Sequence, residues 1–262
     1  MPSFHHNGIR LEYLDTNPNA GADECALLFV HGAGSSSEIW EFQVEEFSPT
    51  HRVLATDLSG HGKSQTGKDP VSIKGYSEEI LALVDHLGLE RYLMVGHSMG
   101  GAATLSYTLL PPRVMPLGLV LVGTSPDLKF GKIAPGLAIE ALEYQFGLFR
   151  SSNAKKESRV YQIKKREEEA RRKNPAVFQG DLQACNAFDI CNRVNEIRPP
   201  TFCVVGEDDD IIKPAVMARF ERQLPRADFA VVPNSDHCPM LENAPHFNRI
   251  LRDFIECIDG SE

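Results

Sequence analysis

Six short runs of aliphatic and β-branched residues punctuate the chain: CALLFV, HRVLATD, RYLMVG, LGLVLVG, TFCVVG and DFAVV. None alternates apolar with polar positions, so they predict strands covered on both faces rather than half-exposed ones. An earlier segment, IRLEYLD, does alternate. It follows His6-Asn7-Gly8 and predicts a strand entered through a tight hairpin turn.

Between the runs, SSEIWEFQVEEF, SIKGYSEEILALVDHLGL, MGGAATLSYTLL, PAVMARFERQL and APHFNRILRDFIECI carry apolar residues three and four apart. These read as helices. Strand and helix alternating this often predict an α/β fold: a mostly parallel sheet, helices on both faces, right-handed crossovers. Functional residues are then expected just beyond the strands' C-terminal ends. Between about Ser125 and Ile197 the alternation stops, leaving helical patterning without a convincing strand. An inserted helical cap over 125–197 is expected, on a core built from 1–124 and 198–262, and its aromatic stretch makes Phe146 and Phe149 candidates to line a pocket.

A chain of 262 residues, 42% hydrophobic and 24% charged, fits one α/β unit with a large core. Its net charge of −9 argues against general nucleic-acid binding, which needs clustered Lys and Arg. The opening MPSFHHNGIRLEYLD lacks a basic n-region and an apolar h-region, and no run approaches a membrane span, so a cytoplasmic protein without a membrane partner is expected. The six Cys show no zinc-ligand spacing and read as buried thiols, with no metal or cofactor implied. Cys238 alone sits beside a candidate functional residue, His237, and a packing role is expected for it.

The C-terminal ends of the runs carry distinctive residues. CALLFV is followed by His31-Gly32-Ala33-Gly34-Ser35, HRVLATD ends on Asp57 of DLSGHGKS, and RYLMV leads into GHSMGG with Ser98 between two glycines. TFCVVG precedes Asp208, Asp209 and Asp210, and DFAVV precedes His237. A strand that turns sharply into a helix strains the apex residue, and flanking glycines relieve the crowding, so Ser98 is expected to be held out for attack. A serine hydroxyl attacks only when a base takes its proton, and an imidazole needs a carboxylate to fix its tautomer.

With the segments HGAGSS, DLSGHGKS, GHSMGG, GEDDDIIKP and DHCPMLENAPHFN in this order, the sequence resembles the serine-nucleophile branch of the α/β-hydrolase superfamily over nearly its whole length. The resemblance implies Ser98 as nucleophile, His237 as general base and acid, and Asp209 as the residue orienting the histidine. It also implies backbone N–H groups of Ala33 and Met99 as the oxyanion hole. Asp210 stays open as the acid, because Pro214 falls five residues beyond Asp209 where the family's proline falls four beyond the acid. Relatives that open epoxides or remove halogens carry Asp where this chain has Ser98.

His31, His97 and His61 are expected to orient loops, Asp57 to shape the turn after its strand, and Glu242 and Pro245 to begin the closing helix. Arg150 to Lys173 holds ten Lys and Arg against four Glu, and Glu167–Arg171, Glu168–Arg172 and Glu169–Lys173 each stand four apart. A solvated helix face is the expectation, with an acidic partner as the alternative. The leading reading is hydrolysis of a carboxylic ester, lactone or thioester of a small to medium apolar substrate through an acyl-enzyme. The second is hydrolysis of a carbon–carbon bond in ring-cleavage products, whose enzymes carry Asn where this chain has His97. A non-catalytic ligand receptor of the same fold is the third.

Overall fold

The structure, a computed structural model, describes residues 1–21, 24–67, 71–110, 114–129 and 158–259. The chain opens with a hairpin of β1 (Ser3–His6) and β2 (Ile9–Asp15), turned at Asn7 and Gly8, whose φ values are 48° and 77°. Both turn residues have positive φ, which Asn and Gly adopt with least strain.

The six aliphatic runs form β3 (Ala26–Val30), β4 (Arg52–Thr56), β5 (Tyr92–His97), β6 (Gly118–Val122), β7 (Thr201–Gly206) and β8 (Ala227–Val232). Among the described residues the eight strands make one sheet in the order β1-β2-β4-β3-β5-β6-β7-β8. The β1–β2 and β2–β4 pairs are antiparallel and the remainder parallel. Burial on both faces holds for β3 to β6 but not for β8. Within the sheet β8 has β7 as its single neighbour, and its Val231 is 37% exposed, so an apolar run here marks an edge rather than a centre.

Helices α1 (Glu41–Phe47), α2 (Ile73–Leu87), α3 (Met99–Thr108), α4 (Arg159–Lys173), α5 (Pro175–Ala187), α6 (Pro214–Glu221), α7 (Pro239–Glu242) and α8 (Ala244–Asp259) cover the sheet or lie between its strands. Successive β3 residues feed opposite faces. Leu28 and Val30 join Tyr76, Ile80 and Leu105 under α2 and α3, while Leu27 and Phe29 join Trp40, Phe247 and Leu251 under α1 and α8. In α8, Phe247, Leu251, Phe254 and Ile255 fall on one face and are buried. At about 1.5–3 kcal/mol for each such side chain, this face holds the closing helix far more firmly than intrinsic propensity could.

Between β6 and β7 the described residues contain α4 and α5 and no strand beyond a single bridge from Asp127 to Asp189. Phe146 and Phe149 lie outside the described residues. The parallel register aligns Val30 with Thr56 and Gly96, His97 with Val122, and Gly206 with Val232, so the loops after β3 to β8 gather at one edge. Among the described residues, no helix is long and apolar enough to cross a membrane.

Candidate active site

Ser98 stands between the last residue of β5 and the first of α3, with φ 52° and ψ −115°. Such backbone costs about 1–3 kcal/mol in an L-residue and persists only where its surroundings fix it. They do so here: Ser98 N–H donates to the Val122 carbonyl at 2.8 Å, and Ala102 N–H donates to the Ser98 carbonyl at 3.1 Å. The flanking glycines are required by contact. A Cβ on Gly96 would lie 2.6 Å from Thr104 Oγ1, and one on Gly100 would lie 2.4 Å from the Val30 and His31 carbonyl oxygens. Met99 opens α3 directly after Ser98, where helical N–H groups have no intrahelical acceptor.

His237 follows β8, and its Nδ1 donates to Asp209 Oδ2 at 2.8 Å, which leaves Nε2 as the basic nitrogen. Asp209 is held from the other side: its Oδ1 accepts the backbone N–H groups of Ile211 at 2.9 Å and Ile212 at 2.8 Å. Of the three consecutive aspartates only Asp209 is buried, while Asp208 and Asp210 face solvent. Burial alone would lower the His237 pKa, but the charge and hydrogen bond of Asp209, with the charges of Asp236 and Glu242, outweigh it and hold the imidazole above 6.5. Burial likewise pushes the Asp209 carboxyl up, and the His237 contacts with the two backbone donors bring it below its ordinary range.

Ser98 and His237 share a pocket, partly open to solvent, whose walls include Gly32, Ala33, Ile39, Phe178, Leu182, Ile211 and Leu241. Ala33 therefore faces the same space as Ser98. Cys238 also lines it, with its thiol pushed up to about 12 mainly by burial, so it stays protonated. The expectation of buried thiols holds for Cys185 and Cys203 but not for Cys191 and Cys257, which are exposed. Cys191 stands in the turn after Ile190, and Cys257 lies on α8 off the face that buries Phe254 and Ile255.

The other histidines hold loops. His31 Nδ1 donates to the Gly32 carbonyl at 2.8 Å and its Nε2 accepts the Leu58 N–H at 3.1 Å, while His97 Nε2 donates to the His237 carbonyl at 2.9 Å. Burial lowers both pKa values to about 3, so both rings are neutral. Asp57 accepts the Ser37 and Lys63 N–H groups at 2.8 Å and 2.9 Å, which pins the turn after β4 to the loop after β3. Glu242 closes the short α7 rather than opening the last helix, accepts the Asp236 N–H at 2.5 Å, and pairs with Lys164 of α4.

Residues 150–157 of the basic segment lie outside the described residues, and the remainder is a solvated face only in part. Its exposed arginines reach across to acidic residues of the 3₁₀ turn Ser37–Trp40 and α1: Arg159 to Glu41 and Glu45 at 2.6 Å and 2.7 Å, Arg166 to Glu38 and Glu41 at 2.7 Å and 3.0 Å. Glu168 and Arg172 pair as expected at 2.6 Å, whereas Glu169 lies 4.0 Å from Lys165. Glu167 and Arg171 are each 6% exposed, and with Lys164 they line the cavity above Ser98. Sequence spacing could not separate these residues from their solvated neighbours, because i,i+4 pairing describes one helix and not what packs on it.

Asp181 on α5 carried no sequence signal. Fully buried, it accepts Gly34 N–H at 2.8 Å, Tyr76 Oη–H at 2.6 Å and His61 Nε2–H at 2.8 Å, while His61 Nδ1 donates to the Ser59 carbonyl at 3.1 Å. Both ring nitrogens of His61 face acceptors, the arrangement of an imidazolium. Burial opposes that charge, but Asp181 outweighs it and raises the pKa.

Residues 26–244 match the family described as alpha/beta hydrolase fold. A relative from Paraburkholderia phymatum named 2-hydroxy-6-oxononadienedioate/2-hydroxy-6-oxononatrienedioate hydrolase is 30% identical, the match covering 94% of this chain and 91% of the relative. A solved N-acyl homoserine lactone degrading enzyme superposes with a TM-score of 0.80 at 25% identity, covering 97% of this chain and 100% of its own. A solved thermophilic esterase does so at 0.78 and 25%, covering 98% and 97%. The chain belongs to the α/β-hydrolase fold family and is an enzyme of the hydrolase class.

Proposed function

We propose that the protein cleaves a carboxylic ester or related acyl bond, with Ser98 as nucleophile, His237 as base and acid, and Asp209 holding the histidine. The carrying observation is Ser98, strained outward at the β5–α3 junction, in one cavity with a histidine hydrogen-bonded to a buried carboxylate. His237 Nε2 takes the hydroxyl proton as Ser98 Oγ attacks the carbonyl carbon, and the charge moves to the carbonyl oxygen. The backbone N–H groups of Ala33 and Met99 meet that oxyanion. Collapse expels the alcohol, which leaves with the proton from His237. Water repeats the sequence on the acyl-enzyme and releases the acid. The named lactone-degrading and esterase structures support an ester or lactone substrate. The largely aliphatic and aromatic walls favour a small to medium apolar body, over which α4 and α5 act as a lid.

A second reading comes from the 30% identical relative, whose named oxo-dienedioate substrate has no ester, so its hydrolysis breaks a carbon–carbon bond beside the ketone. Fluorophosphonate labelling of wild type and Ser98→Ala, followed by nitrophenyl esters of rising acyl length and an oxo-dienedioate, separates the readings. Labelling at Ser98 and turnover of esters are expected, both lost in Ser98→Ala. Turnover of the oxo-dienedioate alone would transfer the proposal to the second reading.

A further inference from the structure

Ala33, whose N–H is one of the two proposed to meet the oxyanion, stands between Gly32 and Gly34, and glycine backbone resists displacement least. The loop needs holding from outside. The peptide before Ala33 is held at its carbonyl, where Gly32 O accepts His31 Nδ1–H at 2.8 Å and Ser35 N–H at 3.3 Å. Carbonyl and N–H point opposite ways across a trans peptide, so these two donors turn the Ala33 N–H away from themselves. The peptide after Ala33 is held at its N–H, which Gly34 donates to Asp181 Oδ2 at 2.8 Å.

Asp181 comes from α5, 147 residues along the chain, and is fully buried. A carboxylate in such a place is costly, and for packing alone apolar side chains would serve as well or better. Its two side-chain donors, Tyr76 Oη–H on Oδ1 and His61 Nε2–H on Oδ2, could be replaced together with it. The Gly34 N–H could not, because every residue but proline carries one. The His61 imidazolium also cancels the Asp181 charge, which would otherwise oppose an oxyanion formed one residue along the loop.

We propose that Asp181 is a positioning residue of the reaction: through Gly34 it fixes the peptide after Ala33 and so keeps the Ala33 N–H on the oxyanion that forms when Ser98 attacks. Asp181 lies outside the lining of the Ser98 pocket and acts only through the loop. The stabilisation of the oxyanion thus depends on α5, an element of the segment between β6 and β7. This rests on the acyl-hydrolase reading above and adds a residue to its machinery.

The test measures kcat and KM on nitrophenyl butanoate for each variant, per site titrated to completion with a fluorophosphonate. Asp181→Ala should lower kcat about 10- to 100-fold with KM little changed, because a donor used only in the transition state is misplaced. Asp181→Asn, whose amide oxygen can still accept the Gly34 N–H, should recover most of that loss. A butyl trifluoromethyl ketone adds to Ser98: the Oγ–carbon bond forms, the proton passes to His237 and the former carbonyl oxygen keeps the electron pair. Its affinity should fall with kcat in Asp181→Ala, while the butyl methyl ketone, which does not add, should bind as in wild type. Wild-type kcat in Asp181→Ala, a loss carried by KM alone, or a loss as deep in Asp181→Asn overturns the positioning role. If Asp181→Ala does not fold, Asp181→Leu combined with His61→Leu and Tyr76→Phe removes the charge pair and the other donor together, leaves the same Gly34 N–H without its acceptor, and should show the same loss.

Hydrogen exchange at the Gly34 amide, followed by NMR, needs no turnover. Slow exchange in wild type and Asp181→Asn with fast exchange in Asp181→Ala supports the role, and equal exchange in all three overturns it. Absence of ester turnover and of ketone addition in wild type would instead sink the acyl-hydrolase reading, with the exchange still deciding whether Asp181 holds the loop.

Discussion

The carboxylate of Asp181, carried on α5, accepts the backbone N–H of Gly34 at 2.8 Å, and Gly34 follows Ala33 in the loop after β3. One buried side chain from the segment between β6 and β7 thus fixes the loop proposed to bind the oxyanion, and in the same place holds Tyr76 of α2 and His61 after β4. Asp181→Ala would leave the His61 charge buried without its counter-ion and two donors without an acceptor. A loss of about 3–5 kcal/mol is expected in urea unfolding, against about 1 kcal/mol for Tyr76→Phe. Equal losses in the two variants would mean that Asp181 is no hub.

His61 makes that hub depend on pH. Its folded pKa lies above 6.5, so its contribution is full below pH 6.5 and is lost as pH rises through the folded value. The stability difference between wild type and His61→Gln should therefore be larger at pH 6 than at pH 9. A difference that grows with pH would contradict an imidazolium at this position.

Gly34 has φ 60°, and a Cβ there would stand 2.6 Å from Phe178 Cδ2 and 2.7 Å from Arg171 Cγ. Gly34→Ala combines a backbone penalty with displacement of two residues that wall the cavity. A loss of about 1–3 kcal/mol is expected, together with a larger fall in ester turnover than in phosphonate labelling. Wild-type melting and turnover would show that α4 and α5 do not close on this loop.

Asp209 is buried against His237, whereas Asp208 and Asp210 are exposed. Asp209→Asn should lower kcat by up to about 10⁴-fold by favouring the wrong imidazole tautomer. Asp208→Asn and Asp210→Asn should stay close to wild type. A crippled Asp210→Asn beside a near-normal Asp209→Asn would move the acid one residue along.

In the proposed reaction His237 must be neutral at Nε2 to accept the Ser98 proton, and the Asp209 carboxylate holds its pKa above 6.5 against burial. The acid limb of kcat/KM on a neutral ester should therefore have its midpoint above pH 6.5 and rise with pH. In Asp209→Asn the burial effect is left less opposed, so the residual activity should titrate at lower pH. An unmoved midpoint would remove Asp209 from the proton chemistry.

The positions of strand and helix were legible because burial on both faces forces unbroken aliphatic runs, and a one-sided helix forces apolar residues three and four apart. Ser98, His237 and the aspartate cluster were legible for a related reason: parallel crossovers bring strand ends to one edge, so polar residues just after those runs must meet. Tertiary structure alone decided which aspartate turns inward, because Ile211 and Ile212 N–H groups close the loop around Asp209 and leave its neighbours in solvent. It alone also decided the use of the basic helix. Spacing four apart gives Glu167–Arg171 and Glu168–Arg172 the same signature, but α4 packs one pair into the cavity and leaves the other outside. Asp181 had no signature at all, since its partners Gly34, His61 and Tyr76 lie 147, 120 and 105 residues away. A local pattern reports what a residue does within its own helix or strand. Contacts across such distances exist only once the sheet has brought the loops together.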